Sequence, residues 1–291
     1  MILVDYNQVA ISNLMEQIGS SKTSIDESLV RHMILNTIRT YVKKFKESHG
    51  PEVVIACDNK NYWRREIYPH YKSNRKKARD ASGHDWNTIF ECLNKIRDEL
   101  RDHSPYKVIS VDTCEADDVI AQLVLNTQID FGHQEPVMII SSDKDFGQLQ
   151  KFANVRQYSP MLKKEIVIVN PRRHLLELIL RGDQSDGIPN VLSIDDCFTE
   201  GVRQTPLREA KIDEIMKDLD DGELLYAASW YRNYLRNKKL IDLTETPSTL
   251  KQEIINNFEQ QGDKSDNKKK VMNYLIVNGC VNLVEVIGDF I

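Results

Sequence analysis

The chain has 291 residues, of which 41% are apolar and 29% charged, and its formal net charge at pH 7 is −5. This composition is typical of a folded globular protein and excludes a disordered or fibrous chain. No run of eighteen consecutive apolar residues occurs, and the apolar start of the chain reaches Asp5 too early for a signal peptide. We therefore expect a cytoplasmic protein without a membrane span.

The cysteines are odd in number, widely spaced and without a CxxC pair. They are Cys57, Cys92, Cys114, Cys197 and Cys280. Such spacing argues against a disulfide framework and against a zinc site, so we expect reduced thiols with packing roles.

Strand-like and helix-like patterns alternate along the first 180 residues. Short apolar, β-branched runs predict strands at Ile2–Val4, Val53–Cys57, Lys107–Val111 and Val137–Ile140. Amphipathic stretches predict helices at Ser28–Phe45, Asn87–Leu100 and Ala116–Leu125. This alternation predicts an α/β fold, with a doubly wound, mostly parallel sheet flanked by helices.

Beyond residue 180 the strand signals fade and helical patterns dominate. Helices are predicted at Glu209–Leu219, Asp221–Arg236, Leu250–Phe258 and Lys268–Val277, and a loop or helix start at Gly262–Lys270. We therefore predict an α/β domain over residues 1–180, with a basic insertion at about 60–83, and a smaller helical domain over residues 181–291.

Acidic residues follow nearly every predicted strand. Asp5, Asp58 and the pair Asp143 and Asp145 stand at strand ends, where ligands bind in an open parallel sheet. Further acids stand at a helix start and in a loop rich in glycine and proline. These are Glu115, Asp117, Asp118, Asp183 and Asp186.

Crowded carboxylates repel one another unless a cation neutralises them. Oxygen ligands without histidine or cysteine suit Mg²⁺, with Mn²⁺ as a substitute. Two such ions can hold the attacking and leaving oxygens of a phosphoryl displacement. Each acid alone would ordinarily be a helix cap or a turn residue, but the whole set predicts the metal site of a nuclease.

A basic and aromatic stretch lies between the second predicted strand and the next helix. From Lys60 to Arg79 it has one acidic residue, Glu66, so a chain of negative net charge can still present a basic surface. Aromatic rings stack on unpaired bases while cations neutralise phosphates, which predicts binding of single-stranded nucleic acid; the alternative is a solvated charged loop. The candidate nucleic-acid-binding residues are Arg64, Arg65, Tyr68, Tyr71, Lys72, Arg75, Lys76, Lys77 and Arg79.

Seven short motifs, in this order along nearly the whole chain, resemble the 5' nuclease (flap endonuclease) family. They are Leu3–Tyr6, Cys57–Asn59, Tyr62–Arg65, Tyr71–Arg75, Glu115–Asp118, Ser141–Phe146 and Gly182–Asp186. The resemblance implies a divalent-metal-dependent 5' to 3' exonuclease and flap endonuclease. Its role would be to remove RNA primers and 5' flaps from duplex DNA in lagging-strand replication.

The resemblance also implies roles for individual residues. Those implied to surround a first metal ion are Asp5, Asp58, Glu115, Asp117 and Asp143, with Asp117 foremost in catalysis. Those implied to serve a second ion are Asp145, Asp183 and Asp186. Lys72 and Arg75 match basic residues of the family's arch, a helical or disordered span over the active site through which the 5' strand passes. They would act catalytically by holding the scissile phosphate.

The substrates implied are flap or nicked DNA and RNA–DNA duplex. The protein is expected to act as a monomer in the cytoplasm of a phage-infected bacterial cell. A single-stranded DNA-binding protein and a sliding clamp are implied as candidate partners. The chain starts at its first strand, without the preceding peptide expected to engage a clamp. A helix-hairpin-helix-like element is expected after Gly182–Asp186. The family has a glycine-rich hairpin with a monovalent-ion site in this element, whereas this chain has Val191–Cys197 in its place.

Two other functions stay open. A metal nuclease of the PIN type would share the strand-end acids and act on RNA alone, but such domains are shorter and lack the basic stretch. A non-catalytic, structure-specific DNA-binding protein would keep the fold without turnover. Cleavage of flap DNA distinguishes the first alternative, and a metal-dependence test distinguishes the second.

Overall fold

The computed structural model describes residues 1–19, 25–130, 135–222, 225–264 and 267–290, and the chain forms two compact units. The sheet unit consists of residues 1–60, 85–167 and 247–291. The helical unit consists of residues 61–84 and 168–246. The predicted division into an α/β nuclease domain over residues 1–180 and a helical domain over residues 181–291 stays a prediction.

The sheet has six strands in the order β3-β2-β1-β4-β5-β6. The first five are parallel, and β6 is antiparallel to β5. The strands are β1 (Ile2–Asp5), β2 (Val53–Ala56), β3 (Lys107–Ile109), β4 (Val137–Ile140), β5 (Val155–Ser159) and β6 (Lys164–Ile166). The doubly wound, mostly parallel sheet is therefore confirmed, with two strands that the sequence pattern did not predict.

The helices fall into both units. They are α1 (Tyr6–Ile18), α2 (Glu27–His49), α3 (Arg64–Ile67), α4 (Ser73–Ser82), α5 (Trp86–His103), α6 (Ala116–Leu125), α7 (Pro171–Arg181), α8 (Glu209–Asp221), α9 (Tyr231–Ile241), α10 (Ser248–Gln260), α11 (Lys268–Val277) and α12 (Val281–Val284). Within the described ranges, none of these helices is long and apolar enough to cross a membrane.

Every residue of β1, β2, β3 and β4 is buried, as expected for a parallel sheet covered on both faces. Side chains alternate between the faces, and Ile2 and Val4 pack in one apolar cluster with residues of α1, α2 and α5. Both α2 and α6 contact β1. All five cysteines are buried and free, as expected.

The helix predicted at Asp221–Arg236 is wrong as one element. Helix α8 ends at Asp221 because Gly222, at a φ of 70°, adopts the left-handed conformation that closes many helices. Helix α9 begins only at Tyr231, and residues 223–224 lie outside the described residues. The helix start predicted within Gly262–Lys270 is confirmed by α11, although residues 265–266 also lie outside the described residues.

The helical unit is built around two apolar clusters. One joins Tyr68 and Tyr71 of the basic stretch to Ile179, Ile188 and Leu240. The other packs α7, α8 and α9 around residues that include Trp230. The connection from α7 to α8, residues 182–208, consists of a bridged loop and successive turns. The helix-hairpin-helix-like element there stays a prediction.

Candidate metal centre and basic segment

The strand order of the sheet reverses between β1 and β4, the point at which open α/β sheets bind ligands. Asp5 is the last residue of β1 and pairs in register with Ala56 of β2, two residues before Asp58. On the other side, β4 ends beside β1 and leads directly to Asp143. The fold therefore brings three of the predicted acids to one edge of the sheet unit.

Asp5 is the buried member of this group, with 8% of its surface exposed. Its Oδ1 accepts a hydrogen bond from the Gln8 amide at 3.2 Å, and its Oδ2 accepts one from the Ser141 hydroxyl at 3.0 Å. Burial, and then the carboxylates of Asp58 and Asp143, raise the pKa of Asp5 from 3.8 to about 7, although both hydrogen bonds oppose the shift. The three acids therefore share one electrostatic environment.

Asp58 links the end of β2 to two helix starts. Its Oδ1 accepts a hydrogen bond from the Ala116 amide at 2.8 Å, at the beginning of α6. Its Oδ2 accepts one from the Asn7 side-chain amide at 2.7 Å, at the beginning of α1. These bonds hold the carboxylate within the acidic edge of the sheet.

The acids at the start of α6 have different environments. Glu115 and Asp118 form a capping box, in which the Asp118 Oδ2 accepts a hydrogen bond from the Glu115 amide at 2.9 Å. Asp118 is fully buried, whereas Asp117 is partly exposed. The structure therefore gives Asp118, predicted as a metal ligand, a capping role, and its ligand role stays a prediction.

The loop after β4 is held by short polar side chains. The Asp143 Oδ1 accepts a hydrogen bond from the Asp145 amide at 2.9 Å, capping a 3-10 helix at Lys144–Lys151. The Asp143 amide donates to the Ser141 hydroxyl at 3.1 Å. Sequence reasoning missed the neutral residues that bond to these loops, which are Asn7, Gln8, Ser141 and Gln157. Asn7 and Ser141 lie two residues from acids in sequence, which is a usable signal, whereas Gln157 carries none.

Within the part of the chain that the structure describes, no three His, Cys, Asp or Glu side chains form a group that could hold a metal ion. The carboxylates of Asp5, Asp58 and Asp143 instead accept hydrogen bonds from protein donors. Their donor chemistry nevertheless fits a hard divalent cation, since all donors are oxygens and a cation would relieve the repulsion around Asp5. The fit is one of charge and donor type, and not of a preformed cage.

In the helical unit, Asp183 shapes the loop that follows α7. Its Oδ1 accepts hydrogen bonds from the Ser185 amide at 2.7 Å and the Ser185 hydroxyl at 2.6 Å. The backbones of Asp183 and Ile188 exchange two hydrogen bonds across the loop. Gly182 is required before it, because a Cβ there would lie 2.3 Å from the Ile188 carbonyl oxygen.

Asp186 in the same loop is paired with the predicted catalytic cations. Its Oδ1 lies 2.7 Å from the Arg75 guanidinium, and its Oδ2 lies 3.6 Å from the Lys72 ammonium. The Tyr71 hydroxyl donates to Oδ2 at 3.3 Å, and the Lys72 amide donates to the Asp186 carbonyl at 2.7 Å. The structure therefore brings Lys72, Arg75 and Asp186 together.

Three predicted nucleic-acid-binding residues are core residues of the helical unit. Arg64 is 2% exposed, and its Nε donates to the Leu240 carbonyl at 2.8 Å. Tyr68 and Tyr71 are each 3% exposed, and the Tyr68 hydroxyl donates to the Asp195 carbonyl. These side chains pack inside the protein, and their predicted contact with nucleic acid stays a prediction.

Lys72 is also buried, with 5% of its surface exposed, whereas the remaining cations of the segment are exposed or partly exposed. Helix α4 buries none of its residues, so its formation depends on local preference and on its ends, among them Gly83 in the left-handed conformation. Lys76 and Lys77 on α4 are exposed, and Arg79 is partly exposed. Arg65 is exposed with its Nε bonded to the Tyr71 carbonyl at 3.3 Å. These residues fit the predicted contact with phosphates.

Two family models match the chain. Residues 2–176 match the 5'-3' exonuclease N-terminal resolvase-like domain, and residues 170–290 match the C-terminal domain of T4 RNase H. The chain is 36% identical to the ribonuclease H of Enterobacteria phage T4, over 99% of this chain and 95% of that protein. It is 32% identical to an exonuclease of Escherichia phage T7, over 68% of this chain and 62% of that protein.

Solved structures with the same fold come from bacteriophage T5. One is the T5 5'-exonuclease with bound zinc ions, with a TM-score of 0.58 and 17% identity over 96% of this chain and 99% of that chain. Another is the T5 flap endonuclease in a pseudo-enzyme-product complex with DNA and metal ions, with a TM-score of 0.58 and 16% identity over 96% and 98%. With both family models and the full-length relative in agreement, the family predicted from the motifs is confirmed: the chain belongs to the 5'-3' exonuclease family of nucleases.

Proposed function

We propose that this nuclease is a divalent-metal-dependent 5' to 3' exonuclease and flap endonuclease that acts on flap or nicked DNA and on RNA annealed to DNA. One structural observation carries the proposal. At the switch point of the sheet, β1, β2 and β4 bring Asp5, Asp58 and Asp143 to one edge, where burial and the neighbouring carboxylates raise the pKa of Asp5 to about 7. A site that holds several carboxylates together in spite of their repulsion suits the binding of a divalent cation.

The cation proposed is Mg²⁺, with Mn²⁺ as a substitute, because the donors are hard carboxylate oxygens. The residues proposed to hold it are Asp5, Asp58, Glu115, Asp117 and Asp143. The assignment of a second ion to Asp145, Asp183 and Asp186 rests on the family resemblance alone. The chemistry that bound divalent ions supply is activation of a water nucleophile and neutralisation of charge on the phosphoryl oxygens.

The proposed contribution of Lys72 and Arg75 is to hold the scissile phosphate. Arg75 presents a planar fork of donors that suits phosphate oxygens as well as carboxylates, and Lys72 acts as a point charge. Both already face an anionic group, the Asp186 carboxylate. We infer that a phosphate takes over these donors when substrate binds.

The exposed and partly exposed cations of the basic segment are proposed to neutralise further phosphates. These are Arg65, Lys76, Lys77 and Arg79. Binding of this kind releases counterions and weakens as salt concentration rises. Interaction with a single-stranded DNA-binding protein or a sliding clamp remains a prediction of the resemblance.

The test is cleavage of a 5'-flap duplex and of a matching linear single strand, with Mg²⁺ and with chelator. Asp117→Ala is expected to abolish cleavage of the flap while substrate binding persists. Asp112→Ala is the matched control, because Asp112 is an exposed acid close in sequence and outside the proposed ligand set.

The outcomes separate the candidate functions. Mg²⁺-dependent cutting near the junction that is lost only in Asp117→Ala supports the proposal. Cutting of RNA but never of flap DNA would favour the PIN-type alternative, and binding without any cutting would favour a non-catalytic protein. Cutting that survives the chelator would contradict the metal dependence.

A further inference from the structure

A polar side chain is buried on β5, the strand next to the edge strand β6. Gln157 on β5 is fully buried and lies in register between Ile139 of β4 and Ile166 of β6. A buried amide destabilises the fold unless its polar atoms are hydrogen-bonded. The bonds that Gln157 makes therefore indicate what the amide does there.

The amide of Gln157 bonds to the acidic loop that follows β4. Its Nε2 donates to the Ser141 carbonyl at 3.0 Å and to the Asp143 carbonyl at 2.6 Å. Its Oε1 accepts a hydrogen bond from the Gln150 side-chain amide at 3.5 Å. This acceptor contact is consistent with the Nε2 group pointing toward the loop. One side chain therefore holds the backbone on both sides of Ser142.

This loop in turn orients two of the candidate metal ligands. The Ser141 hydroxyl donates to the Asp5 carboxylate at 3.0 Å and accepts a bond from the Asp143 amide at 3.1 Å. Because the backbone positions of residues 141 and 143 are held by Gln157, the direction of the Asp143 carboxylate relative to Asp5 depends on that amide.

Packing alone does not account for a glutamine at this position. An apolar side chain of similar volume would fill the same space without the cost of burying an amide. The Gln157 amide donates to the carbonyls of Ser141 and Asp143 in the acidic loop. Both residues lie beyond the part of β4 that pairs with β5. A glutamine at this position therefore serves the hydrogen bonding of the loop and not the pairing of the sheet.

We propose that Gln157 is a positioning residue of the candidate metal centre, which sets the Asp143 carboxylate beside Asp5 by holding the carbonyls of Ser141 and Asp143. This inference rests on the proposed function, because it assumes that these acids bind a divalent cation. Gln157 does not touch the cation or the substrate and acts through the loop.

The first test is Gln157→Leu, which removes both donors at similar volume. Mn²⁺ binding is measured by electron paramagnetic resonance, and the Mg²⁺ concentration for half-maximal flap cleavage is measured in parallel, both well below the unfolding temperature. We expect both to weaken by roughly 10-fold to 100-fold, the usual effect of losing a group that orients metal ligands. Turnover at saturating metal should largely recover.

A matched control is Gln261→Leu. Gln261 also bonds to backbone, exchanging hydrogen bonds of 2.9 Å with both the amide and the carbonyl of Val108 on β3, away from the acidic loop after β4. Its loss should lower thermal stability and leave Mn²⁺ binding unchanged. If Gln157→Leu behaves in the same way, the proposal is overturned.

A second variant guards against misfolding. Gln157→Asn keeps an amide but is one methylene shorter, so it cannot hold both carbonyls in the same way. We expect it to weaken Mn²⁺ binding in the same direction, and Mn²⁺ binding equal to wild type in a folded Gln157→Asn protein would contradict the proposal. If wild-type protein neither binds Mn²⁺ nor cleaves, the proposed function itself has failed, which is a distinct result.

Discussion

The acidic edge of the sheet unit and the basic segment of the helical unit use charge in opposite ways. Asp5, Asp58 and Asp143 are held by neutral donors from neighbouring loops and helix starts. The basic segment instead divides between buried cations, such as Arg64, and the exposed cations of α4. The acids form one group, whereas the cations serve two different tasks.

The difference follows from the cost of bringing charges together. Acids that must converge on one place repel one another, so the fold supplies hydrogen-bond donors that hold each carboxylate in position. Cations that contact an extended strand of phosphates do not need to converge and can stay in water. A cation that is buried must have a partner, as Arg64 has in the Leu240 carbonyl.

The largest expected effect tests whether the aromatic residues of the basic segment are structural. Tyr68→Ala should lower the free energy of unfolding by about 3 to 5 kcal/mol, the range for removing a large buried ring. Chemical denaturation measures it, with Lys77→Ala as an exposed control. If Tyr68→Ala keeps full stability and loses only nucleic-acid binding, the ring stacks on bases after all.

The next effect tests the repulsion at the acidic edge through pH. Because the pKa of Asp5 is raised from 3.8 to about 7 in the folded protein, its contribution to stability is complete below pH 3.8 and is lost as pH rises toward 7. In chelator at pH 8, Asp5→Asn should therefore have a free energy of unfolding up to about 4 kcal/mol higher than wild type, and should unfold at a higher temperature.

The exposed Asp112→Asn is the control for this pH dependence. Thermal unfolding is recorded for both variants and wild type between pH 4 and 8. A wild-type curve without loss of stability over this range, or an Asp5→Asn protein no more stable than Asp112→Asn at pH 8, would show that the acids do not repel one another as described.

A smaller effect tests the pairing of the basic segment with the loop after α7. Arg75→Ala should slow flap cleavage at saturating substrate by about 100-fold, the lower range for losing one group that stabilises transition-state charge. Arg75→Lys should recover only part of the rate, because it lacks the planar fork of donors. Single-turnover cleavage measures both, and an unchanged rate in Arg75→Ala would contradict the catalytic assignment.

The smallest effect concerns the exposed cations of α4. If Lys77 contacts one phosphate, Lys77→Ala should reduce the slope of log binding constant against log salt concentration by about 0.7 to 0.9. Salt titration of binding to the flap substrate measures this. Lys211→Ala, which removes a partly exposed lysine paired with Glu214 in α8, should leave the slope unchanged. Equal slopes for Lys77→Ala and wild type would place Lys77 away from the nucleic acid.

Local sequence pattern was sufficient for the main strands and for the acids at their ends. Strands β1 to β4 are short, mainly apolar and buried, so their composition alone marks them. The acids follow where such strands end, and the rules of parallel sheets bring those ends to one edge. The fold class, the family and the acidic group around Asp5 could therefore be predicted from the amino-acid sequence.

Only the tertiary structure decided which polar and aromatic residues are buried. Strand β5 contains Arg156 and Gln157 and resembles a surface segment until its pairing with β4 and β6 is known. Tyr68 and Arg64 lie in a stretch that reads as nucleic-acid-binding, but their partners come from residues more than 100 positions away. Burial depends on contacts between distant parts of the chain, and the local pattern of charge and hydropathy does not predict those contacts.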